Sequence, residues 1–422
     1  MTLLKRILAL LLCLSLIFCC ACQNQNKAPD KEALVNQDGE YKPPTPQVIT
    51  DDIEAQEGCE AVLSDQQLSR AFSYSFLNEQ EKRIYRIMLN MVQHLTDGWI
   101  HINDIYTDHA AAVAKAYRAM CNDFPEYYWM PVSYYITVKA SGVAISFKRN
   151  DVEDCYRFTK DEINSNKEEF DIAIEDIMQK VNKGKDDFEK EVLIHDLLCK
   201  SVVYDSEFDK YGENTIYSAY GALVNGHAVC EGYARAFKLL CYYAGIECIL
   251  ITGDSKGIGH MWNMVKLEGN WYHVDVTWDD LRSEPHHTYL NLTELQIRAD
   301  HDIDVTYDDA PSNLTAQGNS YNFHVPSAQD ESLNYFVKNS LVIKDDPIIF
   351  VAREIVSKYK AGERRAEFLF ADSAVAENFK ANYETYVVDI QKECVSQMGK
   401  LRFKLKTISF PGNTCVLYFE EV

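Results

Sequence analysis

Basic residues are scarce in this 422-residue chain: 42 lysines and arginines stand against 64 aspartates and glutamates, a formal net charge of −22. A surface of that sign repels phosphate and offers no basic stripe, which argues against nucleic acid as a partner. Long apolar runs are missing too. The most apolar stretch, Ile7 to Ala21, is about 15 residues long, short of the ~20 a helix needs to cross a bilayer. Nine cysteines lie beyond Cys22, at positions 59, 121, 155, 199, 230, 241, 248, 394 and 415, with no C-x-x-C and no paired Cys/His spacing among them. That argues against a structural zinc site. Their odd number leaves at least one thiol without a partner in the chain. Most sit in apolar patterns, where a free cysteine behaves as a small hydrophobe.

What is present begins with a leader. Lys5 and Arg6 precede the apolar run and abruptly polar sequence follows it, the layout of a secretory signal peptide. Its end, Ala21 followed by Cys22, resembles a bacterial lipoprotein signal, which implies lipidation of Cys22 as the mature N-terminus. Loss of residues 1–21 removes two basic residues, leaving 40 minus 64, or −24. Adhesion to anionic lipid is then disfavoured, so a membrane attachment rests on the acyl anchor. The expected location is the outer face of a bacterial cell membrane.

Composition, 47% hydrophobic and 25% charged, is that of a globular protein long enough for two or three domains. Residues 22–60 are polar, acidic and proline-bearing, and read as a tether. Residues 61–160 read as a small α+β domain. It opens with a helix capped by Asn78 and Glu81, with Ile84, Met88, Met91 and Leu95 at helical spacing. It closes on a hairpin of "SYYITVK" and "VAISFK". The aromatic "PEYYWM" between them is read as packing rather than as a ligand platform. Residues 161–310 carry the chemistry, and 320–422 read as a second small α+β domain.

Within "NGHAVCEGYARAF", Cys230 falls in the first turn of a helix whose Ala234, Phe237, Cys241 and Ala244 recur every three to four residues before Gly245. There the helix dipole and free backbone N–H groups favour a thiolate and can hold an oxyanion. A strand pattern, "IECILITGD", and a glycine turn deliver His260. "HMWNMVKL" and "WYHVDVTW" then form an antiparallel pair that brings Asp275 back toward it. A thiol, an imidazole and an orienting carboxylate on separate elements make a nucleophilic triad. His273, on the strand face of Asp275, is the weaker rival as base. His227 reads as a rim residue, His195 as a structural histidine, Trp262, Trp271 and Trp278 as packing. Asp279 and Asp280 are weak evidence for a metal, and no metal or other cofactor is expected.

"VCEGYARAF", "GHMWNMV" and "WYHVDVTWDD", taken together, resemble the transglutaminase-like superfamily. The likeness extends from "EKEVLIHDLLCKSVVYD" to "HTYLNLTELQIRADH". It implies an α+β fold with a papain-like core, a Cys-bearing helix packed on an antiparallel sheet, flanked here by the two small α+β domains. It also implies Cys230 as nucleophile, His260 as base and Asp275 as orienting acid. Met261 stands where a smaller residue is common in the family. The implied activity is acyl transfer to an amine, or hydrolysis, at amides of peptide, protein or peptidoglycan-type substrates. The alternative is a surface binding or scaffold protein that keeps the fold without catalysis.

Overall fold

The computed structural model describes residues 60–421, apart from 97, 106–108, 140–141, 150–152, 207–214, 281–284, 310–320, 400–402 and 410–412. The leader, Cys22 and the tether up to residue 59 lie outside the described residues. The chain divides into two units. One runs to Pro285 and includes Asp300–Gln329; the other comprises His286–Ala299 and Asp330–Val422.

In the first unit, helix α1 (Glu79–His94) starts at a reciprocal cap. The Asn78 side chain accepts the N–H groups of Gln80 and Glu81, and the Glu81 carboxylate accepts the Asn78 N–H. Ile84, Met88 and Met91 form its buried face. Leu95, read from spacing as a further helical residue, instead closes the helix at φ 51° while the Thr96 N–H reaches back to the Met91 carbonyl. Strand β1 (Ile100–Asn103), helix α2 (His109–Asp123) and the hairpin β2 (Tyr135–Lys139) and β3 (Gly142–Ser146) follow, with strand order β1–β3–β2.

Helices α3 (Lys160–Val181) and α4 (Asp187–Ser201) lead to α5 (Cys230–Ala244), which packs on strands β4 (Glu247–Ser255) and β5 (Ile258–Leu267). With β6 (Asn270–Val274) and β7 (His301–Ile303) these strands run antiparallel in the order β6–β5–β4–β7. Both tight turns are two residues long and pair a left-handed residue with glycine: Lys256 at φ 55° with Gly257 at φ 80°, and Glu268 at φ 50° with Gly269 at φ 89°. Positive φ at both positions is the hairpin geometry that matches strand twist. It fixes the register on which the site depends.

The last turn of α2 is joined to α5 by two cations. Arg235 donates to the Cys121 carbonyl at 2.5 Å and Lys238 to the Asn122 carbonyl at 2.6 Å, satisfying the negative end of that helix. Beside them the buried Asp123 carboxylate accepts the Ser73 and Tyr74 N–H groups and the Tyr85 hydroxyl.

The second unit holds strands β8 (Val342–Ile343), β9 (Arg365–Phe370), β10 (Phe403–Ser409) and β11 (Thr414–Glu421) in the order β8–β9–β11–β10, with β8 parallel to β9. Its helices are α6 (Pro347–Lys360), α7 (Ser373–Ala381) and α8 (Tyr383–Met398), and its core includes Val351, Ile355, Phe368, Phe379 and Ile390. Among the described residues of this unit, the acid Glu367 is buried. Burial opposes its charge, but His287, His286 and Arg365 around it hold the carboxyl well below its usual range.

Candidate active site

The backbone ahead of Cys230 is held extended by the Val229 N–H, which donates to the Ile216 carbonyl at 3.1 Å. The helical ladder of α5 begins only at the Tyr233 N–H, 3.1 Å from the Val229 carbonyl. The N–H groups of residues 230–232 therefore precede the first helical bond and form the positive end of the helix dipole. Gly232 makes the approach possible. A Cβ there would stand 2.4 Å from the Ile216 carbonyl oxygen and 2.8 Å from the Ala228 Cβ. One turn on, Ala234 packs against Leu250 and Met261, so the bulk of Met261 lies over a helix residue of minimal size. The Asn263 amide then ties strand to helix, donating to the Ala234 carbonyl at 3.0 Å.

His260 lies near the start of β5. Asp275 follows β6 and caps a single turn, Val276–Asp279, accepting the Trp278 N–H on Oδ1 at 3.1 Å. Because Val274 pairs with Asn263, the next residue turns back over β5, and His260 Nε2 meets Asp275 Oδ2 at 2.5 Å. That leaves Nδ1 unengaged by Asp275, and the Cys230 side chain lies close enough to act on the charge of the imidazole. The structure thus places His260 against Asp275, with Cys230 beside the imidazole. All three are buried: 8% of Cys230, 6% of His260 and 1% of Asp275 is exposed.

Burial works against an imidazolium at His260, yet the Asp275 carboxylate and the neighbouring Cys230 raise its pKa from 6.5 to about 10. Burial likewise opposes charge on Asp275, but the two imidazoles touching it hold the carboxyl well below its usual range. At neutral pH, then, His260 and Asp275 form an ion pair.

The second imidazole is His301, which the sequence reading left without a role. Its Nε2 is 3.1 Å from Asp275 Oδ2 and its Nδ1 is 2.7 Å from Asp300 Oδ1. Nothing local marks it. It reaches Asp275 only because β7 pairs with β4 across the sheet. His260 Nε2, Asp275 Oδ2 and His301 Nε2 cluster within 4.8 Å, a spacing that two hydrogen bonds onto one carboxylate oxygen account for. His301→Phe takes a donor from Asp275 in a dry site, and the urea midpoint should fall by an amount equivalent to about 1–3 kcal/mol.

Trp262 and Trp278 flank the His260 ring, with centroids 5.9 and 6.4 Å away, so these two serve the site as well as the core. Trp271 packs against Phe72 instead. His273 Nδ1 accepts the Trp262 indole N–H at 3.1 Å, which orients the tryptophan. His227 lies in a two-residue strand paired with Val203.

Asp279 and Asp280 diverge. Asp280 accepts the Tyr233 hydroxyl at 2.6 Å, whereas Asp279 lies 3.2 Å from His195 Nε2. His195 Nδ1 is in turn 3.3 Å from Asp196. Burial disfavours the charged form of His195, but the two aspartates raise it to about 9. A histidine raised above its ordinary 6.5 stabilises the fold in full below that pH, and the contribution is lost as pH rises through about 9. Asp279→Asn breaks a buried pair and should cost about 3 kcal/mol near pH 6. Urea unfolding across pH 6–10 reads this directly: the variant's deficit narrows toward high pH if the pair is charged, and stays constant if it is not.

Eight cysteines lie among the described residues, and all of them carry free thiols. Of these, only Cys230 combines a helix N-terminus with an imidazole. Cys199, by contrast, bonds a backbone carbonyl and is pushed well up by burial.

Residues 175–276 match the family model of the transglutaminase-like superfamily, a span that contains Cys230, His260 and Asp275 and stops short of His301. The chain is 31% identical to mouse kyphoscoliosis peptidase over 117 residues, covering 25% of this chain and 17% of that protein. Against the human protein it is 30% identical over 120 residues, covering 26% and 18%. It thus spans less than a fifth of the length of these relatives. A solved structure described as a TGase aligns with 54% of this chain and 62% of its own, at 13% identity and a TM-score of 0.28. With its cysteine-bearing helix packed on an antiparallel sheet, this chain carries a transglutaminase-like core domain.

Proposed function

We propose that this chain is an exported, lipid-anchored thiol enzyme that attacks amide carbonyls of peptide, protein or cell-wall material. The observation that carries the reading is the His260 imidazole, with Nε2 2.5 Å from the Asp275 carboxylate and Cys230 beside the ring. Paired with an imidazolium, the Cys230 thiolate adds to the carbonyl carbon, and the resulting oxyanion is met by N–H groups in the first turn of α5. The His260 imidazolium gives its proton to the amide nitrogen, the C–N bond breaks and an amine leaves. A thioester remains on Cys230. Neutral His260 then takes a proton from the incoming water or amine, which attacks the thioester and expels the thiolate. Water yields hydrolysis; an amine yields a new amide. The name peptidase on the mouse and human relatives supports hydrolysis as the first outcome to test. Export and anchoring rest on the leader and on Cys22.

The low exposure of Cys230 and His260 is what favours the alternative, a surface protein that keeps the fold without turnover. One incubation separates them. Purified chain and Cys230→Ala are treated with a thiol-reactive activity probe, a peptide mixture and a labelled primary amine. Cys230-dependent labelling, with peptide cleavage or amine incorporation, is expected. A folded protein in which Cys230 neither labels nor turns over any amide offered would leave the scaffold role standing.

A further inference from the structure

Beside the N-terminal end of α5, in the same unit as the triad, lies a cavity of about 440 Å³, within the ~300–1,000 Å³ range of small-ligand sites. One wall is Glu231, the residue that follows Cys230, together with Arg235 one turn along. The opposite wall comes from α2 and the stretch after it, including Tyr117, Arg118 and Arg157, which lie outside the family match. Three arginines thus face one glutamate in a protein of net charge −22. Glu231 Oε1 accepts from Arg235 Nε at 2.8 Å, which neutralises that acid.

Arg157 is held more loosely than Arg235. Its side chain is nine-tenths buried, and its ion-pair partner, Glu231 Oε1, is 3.6 Å away, beyond hydrogen-bonding reach. The Tyr217 ring centroid lies 5.7 Å from its guanidinium carbon. Burial pulls its pKa down despite Glu231, and the neighbouring Arg235 works in the same direction. A buried guanidinium offers two parallel N–H donors that match a carboxylate. Glu231 Oε2, also buried and without a hydrogen-bond partner among the described residues, complements it by accepting an N–H from the same ligand. Tyr127 and Tyr128, from the aromatic stretch read as packing, line the cavity too, giving the apolar faces that a peptide backbone and small side chains lie against.

We infer that this cavity is a specificity pocket for a peptide that ends in a free carboxylate, with Arg157 as the carboxylate-binding residue and Glu231 Oε2 accepting a peptide N–H. The inference deepens the proposed function, since it supplies the substrate class for Cys230. It assigns carboxylate selection to Arg157, outside the family match, and the peptide N–H contact to Glu231 within it. Acyl chemistry would then occur close to a chain end rather than in the middle of a long polypeptide.

The test uses full-length Cys230→Ala, which cannot consume ligand, and two probes: N-acetyl-trialanine and its C-terminal amide. By calorimetry the carboxylate form should bind at least about tenfold more tightly, the loss expected when a buried charge is left without its partner. Adding Arg157→Gln should bring the two probes within about twofold of one another, while Arg157→Lys keeps part of the preference. Equal binding of both probes to the parent, a preference that survives Arg157→Gln, or inorganic phosphate binding as tightly as the carboxylate peptide would each overturn the inference. Should Arg157→Gln not fold, by its circular dichroism, the comparison of the two probes on the parent decides alone. Probe labelling of Cys230 in the otherwise unmutated Arg157→Gln chain separates the two proposals. If labelling persists without a carboxylate preference in the parent, the pocket fails and the thiol enzyme stands; if the preference is present but Cys230 never labels, the reverse holds.

Discussion

Cys230→Ser is expected to cut amide turnover by about 10⁵-fold or more, toward the level left by binding and backbone N–H donors alone. The hydroxyl nearly matches the thiol in shape, so the packing around α5 and the His260 contact persist. What is lost is the thiolate, the form that a neighbouring imidazolium and a helix N-terminus stabilise and that a serine hydroxyl does not supply at neutral pH. The measurement is kcat/KM for peptide cleavage and for amine incorporation on one preparation, with circular dichroism to show that the fold is kept. Both activities should fall together, because both pass through the same thioester. If one survives, it does not use Cys230. If both survive, the nucleophile lies elsewhere.

Asp275→Asn should lower kcat by about 10⁴-fold, the scale of losing the group that fixes the tautomer and charge of a catalytic histidine. The pH profile carries more information than the rate. His260 is raised above its ordinary 6.5, so the imidazolium persists at neutral pH and is lost as pH rises through about 10. Activity that needs this proton for the leaving amine should show an alkaline limb near pH 10 in the parent protein. In the variant the carboxylate that raises His260 is gone while burial still opposes its charge, so the limb should move down toward neutrality. An unshifted limb would mean that Asp275 does not set the charge of His260. The stability contribution has the same sign: it is present in full below pH 6.5 and lost as pH rises through about 10. Asparagine has one acceptor oxygen where aspartate has two, so either the Trp278 N–H or the two imidazoles lose their partner, and a loss of stability should accompany the loss of activity.

The local sequence determined a good deal of this. The three-to-four spacing from Ala234 to Ala244 and the glycine after it specify α5, and a left-handed Gly245 does end it. Alternation and the pairs Lys256-Gly257 and Glu268-Gly269 specify two hairpins, which carry His260 and Asp275 on neighbouring strands. Such features are legible because helix and hairpin geometry depend on sterics within a few residues. The capping pair of Asn78 and Glu81 is legible for the same reason.

Only the tertiary structure decided the rest. His301 lies 26 positions from Asp275, Asp279 lies 84 from His195, and Arg157 lies 74 from Glu231. None of these pairs has a spacing that one element imposes. Each depends on which faces of α2, α4, α5 and β7 are buried together, a choice made by apolar area and by the need of every buried charge for a partner. The approach of Asp275 to His260 could be read from sequence because their elements are consecutive in the chain. The histidine that shares Asp275, the tryptophans that flank His260 and the arginine-bearing cavity could not, because their partners arrive from elsewhere in the chain and meet only when the core closes.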